Sequence, residues 1–339
     1  MRRLGKALAI GIPLSLVTVA GWATLQYSGH HPAPRRPAAA AAAAAADNVR
    51  PPAHCPALME PFFGVAVPSP TQRHLTAFIH ATRARPTVVE HYLVFGDRFS
   101  VDRAYIAAKA GAVALLQWLP SHTPLAEIAA GRADPYIERF AKDVRAFRCP
   151  IMISFAHEMN GPWFAWGPEY QSPASFRAAW RRIYLLFRRE HAANAVWVWN
   201  PDVNDRSFTS VPDPWWPGTG YVDMLALDGY YWWPGNTFRG VFQSSLRELH
   251  RLAPGKPVFI AETGAYPGAK MGARIRNLFR GAMASHLVGV VYFDMHHRHA
   301  DWRIEGHPAA VRALRAGLKL FGALLGFVLR SSGLLRVLD

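Results

Sequence analysis

Eight short apolar runs, separated by stretches of helical periodicity, constrain this chain of 339 residues more than any other feature. The runs are Phe62–Val67, Thr87–Phe95, Ala112–Trp118, Ile151–Ala156, Ala195–Trp199, Val222–Leu227, Pro257–Ala261 and Val288–Phe293. They are mostly unalternating, as expected of strands buried on both faces of a sheet. Between them lie amphipathic stretches such as Tyr136–Phe147, Pro173–Arg189, Phe242–Leu252 and Met271–His286. Ser172-Pro173 is a helix start, with Ser as N-cap and Pro at the first helical position. Strands alternating with helices make a parallel sheet, and eight strands close it. The expected fold class is therefore α/β, a single (β/α)₈ TIM barrel. The connection over residues 200–221 departs from the pattern and reads as a loop.

The barrel accounts for residues 54–329. Residues 1–27 read as a signal peptide or signal anchor: the basic MRRLGK precedes an uncharged run from Ala7 to Leu25, near the length that spans a bilayer. Trp22 and Leu25 interrupt any small-residue cleavage site, so cleavage and membrane anchoring both stay open. In either case the basic end stays cytoplasmic and the rest is expected to be exported, whether periplasmic, membrane-anchored or extracellular. Residues 28–53, rich in Pro and Ala with an unbroken Ala38–Ala46 run, read as a low-complexity linker. Residues 330–339 read as a tail. The uncharged run before it, Leu320–Leu329, is too short to span a bilayer and reads as the end of the last barrel helix.

The formal charge of +15 would suit a nucleic acid, an acidic polymer or an anionic membrane surface, but most of the excess lies in the two tails, which weakens the nucleic-acid reading. No zinc-ligand spacing or glycine-rich phosphate loop accompanies it. No nucleic-acid partner, metal or cofactor is therefore expected. His296, His297, His299 and Asp301 match no ligand motif and read as a polar loop. The 12 tryptophans mostly suit a large core. Cys55 and Cys149 could be bridged in an oxidising compartment or left unpaired.

In such barrels the active site forms where strands end at the C-terminal face. The residues following the runs are Gln117-Trp118, His157-Glu158-Met159-Asn160, Asn200-Pro201-Asp202, Asp228-Gly229-Tyr230, Glu262-Thr263 and Asp294-Met295-His296-His297. Glu158 and Glu262 stand out. A carboxylate directly after a buried strand is costly without a task or partner. Two of them at one barrel mouth meet the requirement of glycosidic bond cleavage, in which one protonates the leaving oxygen and the other attacks or activates water.

The segment ISFAHEMNGPWFAWG resembles the acid/base signature of glycoside hydrolase family 26, and PVFIAETG resembles its nucleophile strand. VDMLALDGYYWW resembles its strand-six segment and DWRI its strand-eight loop, so the likeness runs from about Phe62 to about Ile304. It implies a retaining endo-β-glycanase acting by double displacement on β-1,4-linked mannan, or on glucan or mixed-linkage polymer. Glu158 would be the acid/base and Glu262 the nucleophile, about 5–5.5 Å apart. His157, Trp163, Tyr230, Trp302 and Arg303 match family positions around them, with Tyr230 orienting the nucleophile and Trp302 beneath the sugar. The strand ends add Gln117, Trp118 and Asn200 as substrate-binding candidates. An apolar wall from Met159, Trp163 or Phe164 would raise the Glu158 pKa. Mannan-cleaving members tend to carry a His where this chain has Gln117-Trp118, which leaves glucans open. The alternative is a catalytically silent barrel that binds polysaccharide in a synthesis or export system. The intact Glu158/Glu262 pair argues for the enzyme.

Overall fold

The computed structural model describes residues 52–68, 71–204, 209, 212–297 and 300–331. The expected leader (1–27), most of the linker and the last residues of the tail lie outside the described residues. Eight parallel strands close into a barrel in sequence order: β1 (Phe62–Ala66), β2 (Val88–Val94), β3 (Val113–Leu119), β4 (Ile151–Phe155), β5 (Ala195–Trp199), β6 (Met224–Asp228), β7 (Val258–Thr263) and β8 (Gly289–Phe293), with β8 pairing back onto β1. The helices are α1 (Gln72–Thr82), α2 (Val101–Lys109), α3 (Leu125–Ala129), α4 (Asp134–Phe147), α5 (Pro173–Arg189), α6 (Phe238–Leu252), α7 (Met271–Ala284) and α8 (Pro308–Ser331). A short hairpin, β9 (His296–His297) and β10 (Ala300–Asp301), follows β8. All eight apolar runs are strands. As the sequence implied, the β5–β6 connection holds no α-helix among its described residues, only two short 3₁₀ turns. The last helix runs to Ser331, two residues into the segment read as tail. No helix among the described residues is long and apolar enough to cross a membrane.

Two cores follow from the pleat, because successive side chains point to opposite faces of a strand. The inner core packs Phe62, Val88, Val113, Leu115, Met152, Val198, Met224, Ala226, Phe259, Ala261 and Val291 inside the barrel. The larger outer core lies between strands and helices and takes Trp180, Trp197, Trp199 and Trp215. At α5 the sequence signal is realised: the Ser172 side chain accepts the N–H of Ser175, and Pro173 starts the helix. Cys55 and Cys149 form a disulfide that ties the segment before β1 to the residues entering β4.

Candidate active site

The alternation that builds the inner core also carries polar side chains up through it. On β2, Glu90 and Tyr92 follow Val88 on the inward face; on β3, Gln117 follows Val113 and Leu115. Gln117 Nε2 donates to Glu90 Oε1 at 2.6 Å. Trp118, one residue on, therefore faces the other way. It stacks on Phe140 (centroids 4.3 Å apart), touches Phe95, Phe155 and Phe187, and donates its indole N–H to the Tyr136 hydroxyl. The expectation that Trp118 contacts substrate is corrected: it belongs to the outer core.

Glu262 owes its position to an irregularity. Phe259 and Ala261 face the barrel interior, so strict alternation would turn Glu262 toward the helices. The register shifts on both sides of β7, at Leu227/Asp228 and between Ile260 and Thr263. Such bulges re-aim side chains, and Glu262 enters the mouth. There it is buried, 3% exposed. Tyr92 donates its hydroxyl to Oε1 at 2.6 Å, and Tyr230 to Oε2 at 2.8 Å. Burial pushes the Glu262 pKa up to about 7, and the two phenol donors hold it from rising further. Tyr92 was not singled out by sequence, because it lies inside a strand run rather than after it. The signal was there in the polar Glu90 and Tyr92 at period two within an apolar strand.

Glu158 follows β4 in a left-handed conformation, φ 51°, uncommon for a residue with a side chain. Its N–H donates to the Asn200 carbonyl at 2.7 Å, and its Oε2 accepts the Trp163 indole N–H at 2.5 Å. Burial raises its pKa well above the usual carboxylate range; the charges of Asp202 and Glu262 add to this, and the Trp163 donor opposes it. Trp163 is thus not the apolar wall expected of it but a hydrogen-bond donor to the ionised form. A Cβ at Gly161 would lie 2.3 Å from the Trp163 ring, so glycine there lets the indole reach the carboxylate.

His157, next to Glu158 in the chain, approaches Glu262. Its ring packs against Phe164 and Tyr92, and Nε2 lies 3.9 Å from Glu262 Oε1. Burial pushes the imidazole down to about 3, so this approach is a contact of a neutral ring and not an ion pair. Asn200 donates to Asp228 Oδ2 at 3.0 Å, and Asn160 and the Asp202 backbone exchange two hydrogen bonds. Asp228 and Glu90 are fully buried. Burial first, and the charge of Glu262 second, raise both well above the ordinary carboxylate pKa. Crowded carboxyls cannot all ionise in a low-dielectric mouth. His157, Asp228 and Glu262 offer ligand atoms within 4.8 Å of one another, but both Glu262 oxygens already accept phenol hydrogens.

Trp302 and Arg303 sit differently from their expected places. Trp302 is wholly buried, with the rings of Tyr230, Trp232 and Tyr266 against it. A Cβ at Gly264 would stand 2.6 Å from its ring. It supports Tyr230 and presents no free face to a sugar. The Arg303 guanidinium is taken up by both Asp301 oxygens at 2.7 and 2.6 Å. Of the polar loop, His297 is buried and His296 lies 3.8 Å from Asp301, while His299 lies outside the described residues.

Residues 132–268 match the profile described as Glycosyl hydrolase family 26. Endoglucanase H of Acetivibrio thermocellus is 28% identical over 264 residues, covering 74% of this chain and 29% of that protein. A mannan endo-1,4-beta-mannosidase of Bacillus subtilis is 30% identical over 167 residues, 47% of this chain and 41% of that one. The chain thus spans less than half the length of these relatives. Among solved structures, a modular endo-beta-1,4-mannanase from Cellulomonas fimi aligns with a TM-score of 0.58 at 17% identity, over 81% of this chain and 72% of that one, and so shares the fold. Residues 132–268 thus resemble glycosyl hydrolase family 26, and the barrel built around them has the fold of solved enzymes of that family.

Proposed function

We propose that the barrel is a retaining endo-β-glycanase, with Glu262 as nucleophile and Glu158 as general acid/base. The observation that carries this is the unequal treatment of two buried carboxyls at one mouth. Glu262 receives two phenol hydrogen bonds that favour its anion, while Glu158 has one indole donor against burial and three neighbouring charges that favour its protonated form. Separate environments for an acid and a nucleophile are the requirement of double displacement. Glu262 attacks the anomeric carbon as Glu158 gives its proton to the leaving oxygen. Glu158 then takes a proton from the water that releases the sugar. The relatives are named as a mannosidase and an endoglucanase. On that basis the substrate class is a β-1,4-linked mannan or glucan, with the fully buried Gln117 and Glu90 binding each other beneath the mouth. The basic, apolar start of the chain and the Cys55–Cys149 bridge support an exported enzyme, secreted or held by its N-terminal segment.

The test uses azide. Glu262→Ala should lose turnover on every substrate. Glu158→Ala should still form the glycosyl-enzyme from an aryl glycoside with an acidic phenol, and azide should rescue it to a glycosyl azide of retained configuration. An inverted azide from Glu158→Ala and a retained one from Glu262→Ala, read by NMR, would exchange the two roles. Full activity of both variants on polysaccharide would refute the mechanism.

A further inference from the structure

The catalytic reading leaves unused a groove of about 440 Å³ on the outside of the barrel, between α6 and α7. Arg239, Gln243, Arg247 and His250 line it from α6, and Asn277 and Arg280 from α7. The α6 positions recur at three and four residues and so share one helix face. At 1.5 Å per residue that face is about 16 Å long, enough for a stretch of polymer rather than a single small anion. No acidic side chain lines the groove. Among the described residues, Arg239, Arg247 and Arg280 form no ion pair. Some arginines of the outer helices are neutralised: Arg182 and Arg189 of α5 pair with Asp134 and Glu138 of α4, and Arg251, just beyond the groove, pairs with Asp213. Here three guanidinium groups stay together without a counter-charge, an arrangement that attracts anions.

Arg239 lies at the N-terminus of α6, the end of that helix on the same side of the barrel as the mouth. α6 begins directly after residues 229–237, the loop that carries Tyr230 and Trp232. In that loop Trp233 is 71% exposed, and its backbone N–H is held by the Asn236 side chain. An exposed indole held on an ordered turn gives a flat face for a sugar ring. We infer that Trp233 and the α6–α7 groove form an accessory binding site for an acidic polysaccharide. The indole takes a ring near the mouth, and the arginines take carboxylate substituents further along the same chain. The guanidinium fork matches a carboxylate with two parallel hydrogen bonds, and a groove takes in a polymer strand where a bilayer needs a convex or flat face. The polysaccharide class rests on the glycanase reading; the anion site does not.

The experiment measures binding of carboxymethylated β-glucan and of neutral β-glucan oligosaccharides to the full-length chain and to the Arg239→Gln/Arg247→Gln/Arg280→Gln variant. Gln keeps helix propensity close to that of Arg, and the basic tails are common to both proteins. The variant should bind the carboxymethylated polymer roughly tenfold more weakly, with a difference that shrinks as salt rises. Neutral oligosaccharide binding and turnover of a small aryl glycoside should be unchanged. Trp233→Ala should weaken both polymers. Equal affinity of variant and parent for the acidic polymer overturns the proposal. So does a variant that loses binding only to phosphatidylglycerol vesicles, which would make the groove a membrane contact. A parent with no turnover on any glycan, but with the arginine-dependent binding intact, would instead refute the glycanase reading and leave the anion site standing.

Discussion

At the scale of single residues, the working pH range of the mouth is set by which hydrogen atoms point at which carboxyl. As the proposed nucleophile Glu262 must be ionised to attack, so a pKa pushed up to about 7 by burial costs activity below that pH. Both phenols act against that burial. Tyr92→Phe and Tyr230→Phe each remove a donor to the anion, and a hydrogen bond to a charged group contributes about 1.5–3 kcal/mol. The acid limb of kcat/KM should move upward by about 1–2 pH units in either variant. The alkaline limb, which reports loss of the Glu158 proton, should move far less. An acid limb that stays in place in both variants would show that neither phenol tunes the nucleophile. Tyr92 is the sharper test, since its strand position made it invisible to a search confined to strand ends.

At the scale of elements, backbone irregularities aim the two glutamates. The register shift along β7 turns Glu262 inward, and the left-handed turn after β4 points Glu158 back toward it. Gly161 then lets Trp163 close over Glu158. Gly161→Ala forces the indole or the turn to shift. The variant should fold, lose roughly tenfold to a hundredfold in kcat/KM, and show an alkaline limb displaced upward, because the donor that favours ionised Glu158 is gone. A normal profile with wild-type rate would mean that the indole hydrogen bond does not matter. Gln117 and Trp118 illustrate the same geometry: adjacent in sequence and both after an apolar run, they face opposite sides of β3, and only Gln117 reaches the mouth.

At the scale of the whole molecule, the Cys55–Cys149 bridge joins positions 94 residues apart. It clamps the chain ahead of β1 to the base of β4, on the side of the barrel where each strand begins. Closing so long a loop restricts the unfolded chain, and its removal should cost about 2–5 kcal/mol. The Cys55→Ser/Cys149→Ser variant should therefore melt roughly 10 °C lower, measured by calorimetry, while kcat below the transition stays unchanged because the bridge is remote from the mouth. An unaltered melting temperature would show that the inner and outer cores hold the barrel without the clamp.

The fold was legible because an eight-stranded parallel barrel buries every strand on both faces, and eight unalternating apolar runs have few other uses. Glu158 and Glu262 were legible because a charged residue directly after such a run is expensive. Three further points depended on tertiary structure. Which side of β3 reaches the mouth depends on strand register, which placed Trp118 in the outer core. Which phenols serve Glu262 depends on a strand residue 170 positions away and a loop residue 32 positions away meeting at the mouth. Arg239, Arg247 and Arg280 read along the chain as ordinary helix surface, and became a groove only when two helices from consecutive β/α units lay side by side, with no acid lining it among the described residues.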